Sequence, residues 1–395
     1  MSSVKEIAKK INRAWKEEIL VSGNFVKEVD RLPMGDLGFD YPVYGGLPEG
    51  CLVTFSGVEH SGKTTAACQA MAQYQRKYPN KTCVYVDAEN TLLTQYEFIQ
   101  KMTGLKIDDD SFLRYDTTGK AAEEIFSDII QLEEADDIGM IVIDSAPALI
   151  SKADLDNDFE KDNGMRASIS KSLGKFIKQM LMYLPKRNNI LLIINQVRVD
   201  GVSFTGAKIY SEPAGYSLQY YPSLKIRFGT RNYTLGDKVD LSPTKGEDAD
   251  GFRLKFSVVK NRLGPNNRGG GFLTYRLASG LDYMFDMLEV AIKFGYIKRP
   301  TAMSYEIVNL DTGETYLDEE GNPLKFVGKA KLVDYINSHK EFKEEYFKML
   351  TRHVSSAQVK VDLLDQDSLN EILEQEAAIT HTSFESNPTS EEEDE

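Results

Sequence analysis

No run of apolar residues in this chain reaches the roughly 20 needed to cross a bilayer. A membrane-spanning protein is therefore not expected. The opening residues, Met1-Ser-Ser-Val-Lys-Glu-Ile, contain no apolar block of the kind that directs secretion, so the expectation is a cytoplasmic protein. Cysteine is scarce. Cys51, Cys68 and Cys83 fall in an expected strand, helix and strand of one core. That placement suits buried free thiols in a reducing compartment rather than a disulfide framework. No Cys/His spacing matches a zinc site, and no internal repeat is present. Lysine and arginine are missing altogether from residues 361–395, which carry twelve Asp and Glu. The net charge is −14, yet the preceding 360 residues carry only −2. The acidic total therefore does not exclude a nucleic-acid partner. Beyond about residue 375 nothing packable remains, and a disordered polyanion is expected there.

What is present is ordinary soluble-protein composition, 41% apolar and 27% charged, over 395 residues, enough for two or three domains. The most informative stretch is residues 51–65. Cys51-Leu-Val-Thr-Phe55 reads as a buried strand, and Gly57-Val-Glu-His-Ser-Gly-Lys-Thr64 follows the pattern G-x-x-x-x-G-K-[ST]. Gly57 and Gly62 let the backbone curl so that its N–H groups face inward around a triphosphate. Lys63 supplies a point charge for the β- and γ-phosphates. Thr64 offers a hydroxyl to Mg²⁺, and the helix starting at Lys63 adds its positive end. ATP with Mg²⁺ is the implied cofactor pair.

From residue 51 to about 280, strands and helices alternate, with helices expected over 63–78, 92–103, 119–134 and 166–184. The strands around Thr82–Val86, Gly139–Asp144 and Ile190–Asn195 are almost continuously apolar. This is the pattern of a parallel sheet covered on both faces, hence an α/β core. Later strands at Leu224–Phe228, Phe252–Val259 and Phe272–Arg276 have shorter connections and are expected to continue the sheet antiparallel. Ahead of the core, Val4, Ile7, Ile11 and Trp15 recur at helical spacing and predict an amphipathic helix over 3–18. After the core, residues 282–360 read as a small α+β module. The expected units are thus 1–50, 51–281, 282–360 and the tail 361–395.

Three polar residues stand just beyond apolar strands. Asp144 occupies the place that holds Mg²⁺ in P-loop proteins, and Glu89 lies where a carboxylate can deprotonate an attacking water. Gln196 lies where an amide can sense a γ-phosphate and move the loop behind it. On position alone, a surface glutamate and a loop amide remain open alternatives for the last two. Long polar loops at 151–165 and 197–216 follow central strands at the sheet end where α/β proteins bind ligands.

The segments Gly57–Thr65, Val86-Asp-Ala-Glu89, Val142-Ile-Asp-Ser145, Ile194-Asn-Gln-Val-Arg198 and Val258-Val-Lys-Asn-Arg262, in this order, resemble the RecA family of DNA strand-exchange recombinases. The resemblance extends over roughly residues 3–350, and the divergence and acidic tail point towards a bacteriophage member. It implies a RecA-like ATPase core in which Glu59, Ser61 and Thr65 join Gly57, Gly62, Lys63, Thr64 and Asp144 around ATP and Mg²⁺. It implies that Tyr96 stacks on adenine, that Glu89 is the general base and that Gln196 senses the γ-phosphate. Lys260 and Arg262 would reach a neighbouring subunit's phosphates. The two loops would bind DNA, the first through Met165 and Arg166, the second through Arg198, Val202, Phe204, Lys208 and Gly215. Helix 3–18 would dock on the next protomer of a helical filament, and 282–352 would meet duplex DNA.

Some positions depart from the family pattern. Leu93 replaces an aspartate near the adenine, Asn163-Gly-Met-Arg166 reverses the usual Gly and Met, and Asp200 and Ser203 replace Lys and Met. The segment 229–251 is longer than usual. The function implied is an ATP-dependent recombinase that coats single-stranded DNA and pairs it with homologous duplex. The same core also serves ring-helicase motors. A non-hydrolysing scaffold for a recombinase is a third reading, disfavoured by Glu89.

Overall fold

The computed structural model describes residues 3–21, 29–156, 165–202, 208–211, 215–235, 238–240, 248–264, 267–293, 295–309, 311–318 and 320–356. Its main body is one large sheet. From one edge the parallel strands run Phe112–Asp116, Thr82–Asp87, Ile138–Asp144, Ile190–Gln196, Leu52–Gly57 and Leu224–Phe228. The last of these corrects an expectation: Leu224–Phe228 lies parallel to the P-loop strand, in register Leu224↔Val53 through Phe228↔Gly57. The antiparallel part begins only with Gly251–Asn261. That long strand pairs with Leu224–Phe228 through its second half and with Asn232–Leu235 through its start, while Gly270–Arg276 runs along its other side. The extra length at 229–251 contributes the strands Asn232–Leu235 and Lys238–Asp240, which extend the sheet.

The period-2 rule of strands explains why these segments read as unbroken apolar runs. In Ile190–Gln196, the side chains of Ile190, Leu192 and Ile194 enter a core shared with helix Lys63–Lys77. Leu191 and Ile193 enter a second core under helices Ala122–Leu132 and Met165–Arg187. The central strands Leu52–Gly57, Ile138–Asp144 and Ile190–Gln196 are buried on both faces, so each of their apolar side chains contributes roughly 1.5–3 kcal/mol of burial. The polar ends are left at one edge: Gly57 pairs with Gln196, and Asp87 with Asp144, at the carboxyl ends of adjacent strands.

Helix positions follow the expected pattern with local differences. Residues 92–95 form a turn rather than helix, so that Tyr96 is the first residue of helix Tyr96–Thr103. The Asp87 carboxylate captures the N–H groups of Thr91 and Leu92 and ends the regular geometry there. Cys68 and Cys83 are buried, whereas Cys51 precedes its strand and is only half-buried. The 197–216 stretch is not a plain loop: Arg198–Val202 and Lys208–Ser211 pair as an antiparallel ribbon. The 151–165 stretch opens with a short helix, Lys152–Leu155. Towards the C-terminus, helix Tyr283–Lys293 leads into the three strands Ile297–Thr301, Ser304–Ile307 and Lys325–Val327, backed by helices Lys329–Ser338 and Lys340–Ser356. The acidic tail lies outside the described residues. No helix among the described residues is long and apolar enough to cross a membrane.

Helix Val4–Trp15 is closed at its start by a reciprocal Ser3/Glu6 capping box. It buries none of its residues, and Val4 (83% exposed) and Trp15 (69%) face solvent.

Candidate nucleotide and nucleic-acid sites

The P-loop turns from strand to helix at Gly62, whose φ of +86° belongs to the left-handed region. A side chain there would press into Leu254, its Cβ only 2.4 Å from a leucine methyl. A Cβ on Gly57 would lie 2.7 Å from Ser61 Oγ and from the Phe228 carbonyl. Glycine is therefore required at both positions by the close approach of backbone to neighbouring strands. Lys63 Nζ donates to the Val58 carbonyl at 2.7 Å and to Ser61 Oγ at 3.4 Å, which holds the ammonium over the loop. Burial lowers its pKa, opposed by the nearby carboxylates of Asp144, Glu89 and Glu59. Ser61 and Thr65 are buried in the loop and the first helical turn, while the Glu59 side chain is exposed beside His60 at 3.6 Å.

Two carboxylates stand opposite the cradle, Asp144 buried and Glu89 exposed. Asp144 Oδ2 accepts from Thr64 Oγ1 at 2.6 Å and from Tyr85 OH at 2.7 Å. Burial raises the Asp144 pKa to about 6, and the two hydroxyls offset part of that rise. A hydroxyl and a carboxylate sharing one side of a phosphate cradle are the hard oxygen donors that suit Mg²⁺ bound with water and phosphate. Thr64 and Asp144 fit that ion. Glu89 Oε1 accepts from Ser145 Oγ at 2.6 Å and from Gln196 Nε2 at 3.2 Å. The carboxylate and the amide named from separate segments are thus bonded to each other. The backbone continues the link, because Val197 N–H donates to the Gly57 carbonyl at 3.0 Å. The ribbon Arg198–Val202/Lys208–Ser211 therefore starts from the P-loop itself. Tyr96 is 41% exposed at the head of its helix, on the helix that packs against Lys63–Lys77.

Lys260 and Arg262 lie elsewhere. Lys260 Nζ donates to the carbonyls of Gln219, at 3.1 Å, and Tyr220, at 2.6 Å, and Arg262 also donates to the Tyr220 carbonyl. They do not meet the P-loop of their own chain. Burial, then the charges of Arg262 and Lys225, lowers the pKa of Lys260.

A groove of about 770 Å³ runs beside this pair, lined by Lys171, Lys175 and Lys178 together with Tyr216, Tyr220, Tyr221 and Arg262. The three lysines lie on the exposed face of helix Met165–Arg187, spaced at i, i+4 and i+7. Tyr216 and Tyr220 stack with their ring centres 6.2 Å apart and are 74% and 62% exposed. Sequence reasoning placed nucleic-acid contacts on the two loops and on the module at 282–352 and passed over this face, although its lysine spacing was visible in the sequence. It also passed over Tyr85 and Ser145. Of the residues named for the loops, Arg198 is exposed on the ribbon, and Val202 and Lys208 are paired in its strands. Gly215, at φ +82°, brings the returning chain against the helix: a Cβ there would lie 2.8 Å from that of Ser170. Met165 and Arg166 begin helix Met165–Arg187, and Phe204 lies outside the described residues.

A family model described as the RecA N-terminal domain matches residues 2–274. The chain belongs to the RecA family. Protein RecA of Thermus thermophilus is 30% identical to it over 291 residues, 73% of this chain and 79% of that protein. Protein RecA of Thermus aquaticus is 30% identical over 322 residues, 80% and 84% of the two chains. Protein RecA of Rickettsia prowazekii is 26% identical over 339 residues, 85% and 88%. The match to the RecA model ends within strand Gly270–Arg276, so it covers the P-loop, Glu89, Asp144, Gln196 and the Lys260/Arg262 pair.

Proposed function

We propose that this RecA-type DNA recombinase is a DNA-dependent ATPase that assembles a helical filament on single-stranded DNA and pairs that strand with homologous duplex. The reading rests above all on one observation: the Glu89 carboxylate, bonded to Gln196, stands across from the P-loop cradle at the shared edge of the parallel strands. Bound ATP with Mg²⁺ supplies the phosphoanhydride to be cleaved and the charge that draws electrons from it. Lys63 and the P-loop amides hold the phosphate chain, and Thr64 and Asp144 hold the cation. Glu89 takes the proton of the attacking water, with Ser145 orienting its carboxylate. When a γ-phosphate competes for the Gln196 amide, the bond to Glu89 is exchanged and the ribbon behind Gln196 shifts with it. Lys260 and Arg262, lying away from their own P-loop, serve a neighbouring protomer's phosphates.

The strand of DNA follows the groove of Lys171, Lys175 and Lys178, with the stacked tyrosines offering faces to bases. The exposed apolar stripe of helix Val4–Trp15 is the surface through which one protomer docks on the next. The fold and the relatives contain nothing that favours a ring-helicase motor or a non-hydrolysing scaffold.

The test is twofold. Negative-stain microscopy with single-stranded DNA and a slowly hydrolysed ATP analogue should show helical filaments, and phosphate release should rise with added DNA. Closed rings, or isolated particles with no phosphate release, would refute the reading.

A further inference from the structure

We infer that Arg114 is a positioning residue for Glu89: its guanidinium bridges Asp87 and Asn90 and so fastens the turn that carries the carboxylate on both sides. The inference rests on the reading of Glu89 as the base. Arg114 belongs to the outermost parallel strand, Phe112–Asp116, in register with Tyr85, so it leans along the sheet to reach the end of the neighbouring strand. Its Nε donates to Asp87 Oδ2 at 2.8 Å and its Nη2 to Asn90 Oδ1 at 3.0 Å. The exposed Asp116 carboxylate is more distant, 4.0 Å from Nη1. The Arg114 side chain is 19% exposed and that of Asp87 only 1%, which separates this contact from surface ion pairs that contribute little.

The turn has few other anchors. Asp87 accepts from the N–H groups of Thr91 and Leu92, so its carboxylate organises the segment from one end. Ala88 N–H donates to the Asp144 carbonyl at 2.8 Å, and Thr117 Oγ1 to the Asp87 carbonyl at 3.2 Å. After Glu89 the chain turns left-handed at Asn90, φ +53°. Among the described residues, Arg114 is the one partner of the Asn90 side chain. Asn90 N–H also donates to the Asp87 carbonyl, at a long 3.3 Å, so losing the side-chain bond loosens the far side of the turn while Asp87 stays in place. The planar fork of arginine spans two acceptors at a set separation, which the single ammonium of lysine cannot do. Position matters here because misplacing a catalytic group by about 1 Å can lower a rate as much as a hundredfold. Ser145 and Gln196, which bond the Glu89 carboxylate, come from other strands and do not restrain its backbone.

Deleting Arg114 outright would leave the buried Asp87 uncompensated and endanger folding. The informative variants are therefore milder. Arg114→Lys keeps a cation beside Asp87 but loses the bridge. Asn90→Gly tolerates the left-handed turn, removes the outer acceptor and leaves the Asp87–Arg114 pair intact. Asn90→Asp puts an acceptor back. DNA-stimulated phosphate release and binding of a fluorescent ATP analogue are measured on the full chain, each variant also in a Glu89→Gln background.

Arg114→Lys and Asn90→Gly are expected to lower kcat by about ten- to a hundredfold. Nucleotide affinity should change by less than about twofold, because a rate loss without a binding loss marks an interaction made in the transition state. Asn90→Asp should recover most of the loss, and in the Glu89→Gln background the two changes should cost nothing further. Parent turnover in both Arg114→Lys and Asn90→Gly, alongside a slow Glu89→Gln protein, overturns the role. A full additional loss in the Glu89→Gln background overturns it too, since Arg114 would then act through something else. Parent turnover in Glu89→Gln itself refutes the base reading, and the positioning role falls with it.

Discussion

Two regions of this molecule are finished to different degrees. At the P-loop edge of the sheet the polar side chains find partners within their own chain: Thr64 with Asp144, Ser145 and Gln196 with Glu89, Arg114 with Asp87. At helix Val4–Trp15 and at Lys260/Arg262 the same chain stops short. The helix displays its apolar stripe to solvent, and the two cations rest on the carbonyls of Gln219 and Tyr220 rather than on phosphate. The first region needs rigidity, because chemistry tolerates displacements of less than about 0.5 Å. The second needs a partner, because an apolar face left in water forgoes the burial that stabilises a helix. On the proposed reading, in which Lys260 and Arg262 serve a neighbour's phosphates, turnover requires the assembly.

Breaking the finished side should have the largest effect. Glu89→Gln should keep nucleotide binding and lower DNA-stimulated turnover by roughly two to four orders of magnitude. Lys63→Ala should lose binding as well as turnover. Unaltered hydrolysis by Glu89→Gln would remove the base from the scheme.

The unfinished side is tested by mixing. Lys260→Ala and Lys63→Ala proteins should each be nearly inactive alone, and together recover part of the turnover. One of the mixed interfaces pairs an intact P-loop with an intact cation pair. Turnover that stays flat across all mixing ratios would place Lys260 in its own chain's chemistry or in its structure.

A charge placed in the apolar stripe sharpens the comparison further. Ile7→Glu with Ile11→Glu should weaken self-association by more than tenfold, since each buried aliphatic side chain contributes roughly 1.5–3 kcal/mol. Monomer nucleotide affinity should not change, because the helix touches no part of the P-loop. Sedimentation at several protein concentrations measures the first effect and nucleotide titration the second. Unchanged association would assign the stripe to some other surface.

On the groove, replacing Lys171, Lys175 and Lys178 by Gln should reduce the salt dependence of single-stranded DNA binding by about 0.7 per lost phosphate contact in the log–log slope. An unaltered slope would move the DNA path off this helix face.

The smallest effect concerns pH and a part of the molecule away from both regions. Asp40 is buried in the lead-in to the P-loop strand and accepts from Met34 N–H at 2.8 Å. Burial raises its pKa to about 7. A raised carboxyl favours the folded state below its unfolded pKa, near 4, and that contribution is lost as pH climbs towards 7. Asp40→Asn should therefore flatten the decline in melting temperature between about pH 4 and pH 7. Parallel melting curves for parent and variant would show that Asp40 does not titrate in this window.

Much of the core was legible because its rules are local. An apolar strand, a glycine at each end of a four-residue gap and a Lys-Thr pair are enough to specify a phosphate cradle. Continuous apolar runs are enough to specify a two-faced parallel sheet. Other features escaped because no local pattern encodes them. The direction of Leu224–Phe228 depends on which strand it meets, and a strand of five residues looks the same either way. The ribbon of Arg198–Val202 and Lys208–Ser211 was hidden because its apolar residues are few and scattered among polar ones and glycine, too short a pattern to mark a strand. Tyr85 and Ser145 read as an ordinary strand aromatic and a strand-end serine until the sheet brings them to Asp144 and Glu89.

The sequence by itself therefore determined that this chain carries a P-loop at a strand-to-helix junction, which carboxylates and amide end the strands, and how its core is covered. Those properties depend on residue type and on spacing along the chain. Only the tertiary structure decided that Glu89 and Gln196 are bonded, 107 residues apart. It alone decided that Arg114 reaches across a strand to Asp87 and Asn90, and that three lysines and two stacked tyrosines share one groove. Those facts depend on strand order and register, which are set by how the whole core packs rather than by any segment within it.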